Sequence, residues 1–224
     1  MIYFMPICEL DQLEEQYLSW LPHLPPARQE KLLLYCFAKD RWLCAAAYML
    51  LLHGLQEEYG LTEDQIVMEI ADSGKPYLSS HPHIYFNLSH CDAGVACGIS
   101  NAPIGIDVES VRKIDNRVAN RVLSASEQEI LAHSKNSTHT FTIMWTLKES
   151  WLKATGYGLS YALNQVSINE TPLGCYYINK DGYTAKAMNV SLPIVGSACF
   201  PASNEQDYNI VMIFPSTINK GGTT

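Results

Sequence analysis

The sequence predicts an α+β protein, and three observations carry that expectation. Helical periodicity gathers in two blocks, one near the amino end and one in the middle of the chain. Each block is followed by short segments of period two separated by turn residues, the mark of an antiparallel meander. With 224 residues, 47% of them hydrophobic and 17% charged, the chain has enough apolar surface for one large domain or two small ones.

Taken in order, Ile2–Ile7 reads as an opening strand and Glu9–Trp20 as a helix. His23–Pro26 breaks the pattern, and Ala27–Phe37 resumes it with Pro26 placed just before the first turn. Asp40 is placed to cap a long helix that runs to Tyr59 and stops at Gly60. Strands are expected at Ile66–Ile70, Ile84–Leu88, Val95–Ile99 and Ile104–Val108, between the turn clusters ADSGKP, SSHPH, HCDAG and SNAP. Helices follow at Asn116–Leu123, Ser126–His133 and Thr138–Thr155, with Ser124 and Glu127 spaced as a capping box and Gly156 as a stop. Gln165–Ile168, Cys175–Ile178, Ala185–Val190, Gly196–Phe200 and Tyr208–Phe214 read as strands. The stretch 215–224 reads as a flexible tail.

Composition narrows the function classes. A formal net charge of −8 argues against nucleic acid or an anionic membrane as the main ligand. No apolar run has the length of a membrane span, and the amino terminus lacks the features of a signal peptide. Seven cysteines without a C-x-x-C spacing fit reduced thiols, and with them a cytoplasmic location. The H-x-H of His81 and His83 has Pro82 between its members and no third ligand nearby, which makes it a weak metal site.

Chemistry concentrates in two stretches. In GIDVE (Gly105–Glu109) the period of two puts Asp107 and Glu109 on one face of a strand, ~7 Å apart along the chain, where they repel unless a cation or proton lies between them. In WTLKESWLK (Trp145–Lys153) a helix carries Glu149, with Lys148 beside it and Lys153 one turn on. Glu149 and Lys153 at i, i+4 also suit an ordinary surface ion pair. Three carboxylates with lysines suit a hard divalent cation holding a phosphate ester. Ser89 and His90 follow the strand-like IYFNL; as strand neighbours they do not form a nucleophile–base pair, and they read as ligand-binding donors.

With GKPYL (Gly74–Leu78), FNLSH (Phe86–His90), IGIDVE (Ile104–Glu109) and WTLKES-x-x-K (Trp145–Lys153) in this order and spacing, the chain resembles the Sfp-type 4′-phosphopantetheinyl transferases. The resemblance covers Gly74 to Lys153; it is looser before that and slight after Gly158. It implies two similar α+β subdomains in a pseudo-dimer, here 1–103 and 104–214, each a small antiparallel sheet packed with helices. It also implies an enzyme of the holo-[acyl-carrier-protein] synthase type. Such an enzyme moves 4′-phosphopantetheine from coenzyme A to a serine of an acyl or peptidyl carrier protein and releases 3′,5′-ADP.

By the same resemblance Mg²⁺ is held by Asp107, Glu109 and Glu149. Coenzyme A meets Lys75, Pro76, Ser89, His90 and Lys153, with Arg28, Lys31 and Arg41 on the 3′-phosphate. Glu149, Lys153 and His90 take the catalytic roles, with Glu149 as ligand, base or both. A monomer is expected, and KES in place of KEA leans towards secondary metabolism. A non-catalytic coenzyme A-binding module and another Mg²⁺-dependent phosphotransferase are the competing readings. Carrier docking is expected on an apolar stripe of the helical stretch 116–131, formed by Val118, Val122 and Leu123, which reads equally well as core.

Overall fold

The computed structural model describes residues 1–7, 13–113, 115–158, 161–172, 175–188, 193–204 and 209–218. The chain opens with β1 (Ile2–Pro6), then α1 (Leu13–Trp20), α2 (Pro26–Leu33) and α3 (Ala38–Tyr59). A hairpin of β2 (Met68–Ile70) and β3 (Pro76–Leu78) follows, then β4 (Tyr85–Cys91), β5 (Gly94–Ser100) and β6 (Gly105–Ser110). Next come α4 (Asn116–Val122), α5 (Ala125–His133) and α6 (Ser137–Thr155). The remaining strands are β7 (Asn169–Glu170), β8 (Tyr176–Lys180), β9 (Tyr183–Met188), β10 (Ile194–Pro201) and β11 (Ile210–Met212). This is the α+β architecture the sequence predicts.

Two sheets organise these elements. The first has the order β11-β1-β5-β4, the second β6-β10-β9-β8-β7, and β2 pairs with β3 alone. The long helix α3 lays Trp42, Tyr48, Leu50, Leu51 and Leu55 on the first sheet, and α6 lays Met144, Leu147 and Trp151 on the second. A third cluster, with Ile2, Phe4, Ile104, Ile106 and Val108, fills the space between the two sheets.

β4 and β6 are edge strands of different sheets, and side chains of one satisfy the backbone of the other. Asn87 Oδ1 accepts from the Ile106 amide at 2.8 Å, and Ser89 Oγ accepts from the Val108 amide at 3.2 Å. Asn87 and Ser89 share one face of β4 because strand side chains alternate. A buried edge amide without a partner would cost the desolvation of a lost hydrogen bond, so these two side chains close the seam.

Several local expectations need correction. The second helix ends at Leu33 rather than Phe37, because Phe37 is extended (φ −99°, ψ 138°) and starts α3 as its cap. Asp40 therefore lies in the first turn of α3 and does not cap it. The strand expected at Gln165–Ile168 does not form: Leu163–Gln165 is a 3₁₀ turn, Val166 turns fully into the core, and pairing begins only with β7. Within the expected tail, Pro215–Thr217 forms a 3₁₀ turn and Ile218 is buried in the first core with Ile213. β11 pairs in parallel with β1, so the chain ends its described part on the first sheet. Residues 219–224 of the expected tail lie outside the described residues, as do 9–12, 189–190 and 208 of the expected helix and strands.

α6 lies against β6 at Gly105, which sets how near Glu149 comes to Asp107. A methyl group on residue 105 would overlap the Ser150 carbonyl oxygen and the Ala154 amide, both of them backbone atoms that cannot rotate away. Gly105→Ala should therefore cost about 3 kcal/mol by overpacking, roughly 6–12 °C in Tm. Calorimetry showing an unchanged Tm would mean the helix has room to back off.

Candidate active site

The site sits at the seam between the sheets. β6 presents Asp107 and Glu109, β4 presents Ser89 and His90, and α6 presents Glu149 and Lys153. Their convergence follows from local rules. Asp107 and Glu109 share a face of β6, and Glu149 and Lys153 lie one turn apart on the helix that covers it. Asp107 and Glu149 are both buried, at 6% and 8% exposure.

Lys153 does not pair along its own helix with Glu149. Its Nζ crosses to Asp107 Oδ1 at 2.7 Å and donates to Ser89 Oγ and the Ile106 carbonyl, both at 3.1 Å. Ser89 Oγ donates in turn to Asp107 Oδ1 at 2.9 Å. One oxygen of Asp107 is thus fully engaged while Oδ2 is buried without a hydrogen-bond partner, and Glu149 Oε1 is in the same state.

Electrostatics follow from this crowding. Burial pushes the Asp107 carboxyl above the usual range, with Lys153 opposing. Glu149 is raised by burial and then by the charge of Asp107, and Glu109 by the same two causes, against Arg112 and Lys153. Burial lowers His90, Lys153 and Lys31 lower it further, and Asp40 and Asp107 oppose them.

A hard cation would meet a suitable donor set here. The two orphaned oxygens are carboxylate, and carboxylates that raise one another's pKa are those a divalent charge stabilises. The side chains are not closed into a ligand cluster in this arrangement: among the described residues no three His, Cys, Asp or Glu groups are gathered tightly enough to bind a metal. Lys153 holds part of that space.

A cavity of about 380 Å³ opens beside these groups, lined by Gly74, Lys75, Pro76, Asn87, Glu149 and Lys153 among others. A second, of about 390 Å³, lies on the outer side of Glu109 against Arg112, Val118, Phe141 and Trp145. Lys75 reaches inward: its Nζ donates to the Lys153 and Ile104 carbonyls. Lys31 is exposed, close enough for its charge to act on His90.

The other two basic residues are committed elsewhere. Arg28 donates to the Cys44 carbonyl and lies over the Tyr48 ring, and Arg41 binds the Tyr35 carbonyl and Glu14. The docking stripe also resolves, since Val122 and Leu123 are core at 4% and 1% exposure and only Val118 is open. Ala119, Val122 and Leu123 belong to the second core, with α4 against the 3₁₀ turn Leu163–Gln165 and α5 against α6, which leaves no stripe formed by these residues.

Two features of the site were hidden in the sequence. Asn87 stands in FNLSH, and its period-two spacing from Ser89 was the available signal. Lys148 points away from Glu149 into the core, fully buried, where it meets Glu127 at 2.6 Å and the Val122 and Leu163 carbonyls.

Comparison with known proteins finds relatives along both halves of the chain. The 4′-phosphopantetheinyl transferase superfamily model matches residues 103–197, and a 4′-phosphopantetheinyl transferase amino-terminal model matches 11–100. A 4′-phosphopantetheinyl transferase of Aneurinibacillus migulanus is 31% identical over 77% of this chain and 73% of its own length. The 4′-phosphopantetheinyl transferase Sfp of Bacillus subtilis is 28% identical over 87% of this chain and 82% of its own length. One from Bacillus pumilus reaches 37% identity over 52% of this chain, which spans about half (51%) of that relative. The solved holo-[acyl-carrier-protein] synthase of Helicobacter pylori, in complex with coenzyme A, aligns with a TM-score of 0.36 at 19% identity, over 44% of this chain and 98% of its own. No described helix is long and apolar enough to cross a membrane. With both halves matched and a relative at 31% identity along most of its length, the chain belongs to the 4′-phosphopantetheinyl transferase family.

Proposed function

We propose that the cleft holding Asp107, Glu149 and Lys153 is where this enzyme transfers 4′-phosphopantetheine from coenzyme A to a carrier-protein serine, releasing 3′,5′-ADP. One observation carries the assignment: two buried carboxylate oxygens, Asp107 Oδ2 and Glu149 Oε1, stand without partners beside the Lys153 ammonium and a cavity of about 380 Å³. Buried acceptors are left unpaired at a cost, and a bound cation with its phosphate ligand removes it. Asp107, Glu109 and Glu149 would hold Mg²⁺, which when bound neutralises charge on the pyrophosphate.

The chain's own residues do the rest. Lys153 and Ser89 orient phosphate oxygens, and neutral His90 donates a ring N–H to them at the rim. Glu149 accepts the serine proton as the new serine O–P bond forms and the bond to 3′,5′-ADP breaks. Lys31, exposed next to His90, receives the 3′-phosphate. Arg28 and Arg41, tied to the protein, would have to leave their present partners to join it. The carrier serine approaches from the outer side of Glu109, past Val118 and Trp145.

The two halves, 1–103 and 104–214, act as the walls of this cleft in a monomer. The KES form of the motif supports a role in secondary metabolism, and the cysteine usage a cytoplasmic location. Mass spectrometry of an apo carrier protein incubated with this enzyme, coenzyme A and Mg²⁺ tests the reading. A gain of one phosphopantetheine unit, lost with EDTA, is expected; no gain on any carrier, or gain unaffected by EDTA, would reject it.

A binding prediction follows from the same site. Coenzyme A with Mg²⁺ should raise Tm by mass action on the folded state, and dephospho-coenzyme A should raise it less. The difference in binding free energy should approach the about 1.5–3 kcal/mol of a charged hydrogen bond, since Lys31 receives the 3′-phosphate in this reading. Equal shifts from the two ligands would remove that pocket.

A further inference from the structure

The geometry points to Lys75 as a positioning residue, a strut that sets where the catalytic end of α6 stands against β6, rather than a phosphate ligand. Its ammonium donates to two backbone carbonyls, those of Lys153 on α6 and Ile104 just before β6. These are the two elements that carry Glu149 and Lys153 on one side and Asp107 and Glu109 on the other. The inference rests on the proposed roles of Glu149 and Lys153.

The need for such a strut follows from how helices end. The last four carbonyls of a helix have no intrahelical partner. In α6 the Leu152 carbonyl accepts from the Gly156 amide and from Thr155 Oγ1, while the Lys153 carbonyl is taken by Lys75. A cation there also complements the negative end of the helix dipole. The lysine comes from the other half of the chain, on the turn between β2 and β3, and so ties that half to the catalytic helix.

The turn is built to aim it. Gly74 has φ +82°, which a side chain rarely adopts, and its amide donates to the Ala71 carbonyl at 2.8 Å. The Ala71 amide donates back to the Lys75 carbonyl at 3.0 Å, and Pro76 stiffens the exit. A two-stranded hairpin is marginal by itself, so a lysine anchored at its tip also holds β2 and β3 in place. Lys75, with Ser73, Pro76 and Gly156, lines both of two cavities of about 380 Å³ each, one reaching Glu149 and Lys153, the other lined by Tyr77, Tyr85 and Tyr183. Burial pushes its pKa down, in keeping with a side chain turned inward to carbonyl oxygens.

Steady-state kinetics of Lys75→Met and Lys75→Arg, with turnover read by mass spectrometry, separate a strut from a ligand. A displaced catalytic helix should lower kcat about 10–100-fold, as small misplacements do, with coenzyme A KM changed less than about threefold; arginine, which still reaches the carbonyls, should restore most of kcat. A rise of about tenfold or more in coenzyme A KM at unchanged kcat would make Lys75 a phosphate ligand and overturn the inference, and wild-type kinetics in Lys75→Met would overturn it as well. If Lys75→Met does not fold, Gly74→Ala keeps the charge and strains only the turn. It should lower kcat at constant KM, and an unchanged kcat overturns the strut. Lys153→Met is the control for the underlying reading: full activity there rejects the proposed site itself, whatever Lys75 does.

Discussion

Lys148→Met should destabilise the protein by about 3–5 kcal/mol, the cost of leaving one partner of a buried ion pair uncompensated. Lys148 and Glu127 are 0% and 2% exposed, with Nζ and Oε2 at 2.6 Å. Glu127 is also the N3 member of the Ser124 capping box and accepts from the Ile168 amide, so its carboxylate fastens α5, α6 and the 168 segment together. Without the ammonium that carboxylate would remain buried among dipoles only. The Lys148 pKa is lowered by burial, with Glu127 opposing, so its folded-state charge depends on this one partner. Replacing both members, as Lys148→Met with Glu127→Gln, should recover much of the loss. Chemical denaturation of the four proteins gives the coupling. A loss below about 1 kcal/mol in Lys148→Met would put the pair in the class of surface ion pairs.

The same pair marks where the sequence stops being readable. Ser124-x-x-Glu127 is legible as a capping box because that interaction is local, within one helical turn. That Glu127 also binds Lys148, twenty-one residues on, depends on how α5 meets α6, which no spacing encodes. Asp107, Glu109 and Glu149 were legible for a related reason: period two puts the first pair on one face, and only their meeting with α6 needed the fold. Lys153 reads as an i, i+4 partner of Glu149, yet it crosses to the seam, where Asp107, the Ser89 hydroxyl and the Ile106 carbonyl together take its three donors.

Proline and apolar runs account for the misplaced elements. Pro76 opens β3, a position where a missing amide costs nothing, although a turn was expected there. The apolar LLLYCF run looks like continued helix, yet Leu33, Leu34 and Phe37 are exposed and the chain turns out of helix between them. Periodicity reports what could be buried, and in that stretch Leu32 is covered while Leu33, Leu34 and Phe37 are not.

Asp107→Asn should abolish transfer, by at least about 100-fold in kcat, while the fold survives. Asn keeps a carbonyl oxygen for Ser89 and Lys153, so the seam between β4 and β6 stays closed through the Val108 amide and Ser89. What it loses is the charge that, with Glu149, would hold the cation. Stability should move the other way. Burial raises the Asp107 pKa in the folded state, so the folded protein binds its proton more tightly than the unfolded chain does. Without metal, the contribution of this group to stability is therefore full below the ordinary carboxylate range and is lost as pH rises through the raised folded value. Glu149 and Glu109 are raised too and add to the same slope. Asp107→Asn should flatten this dependence and melt higher than wild type at neutral pH without metal. Mg²⁺ should then raise the Tm of wild type at neutral pH, raise it little in mildly acid buffer where the carboxylates are protonated, and hardly affect the variant. Near-wild-type turnover in Asp107→Asn, or equal Mg²⁺ shifts in both proteins, would show that the three carboxylates do not form the metal site.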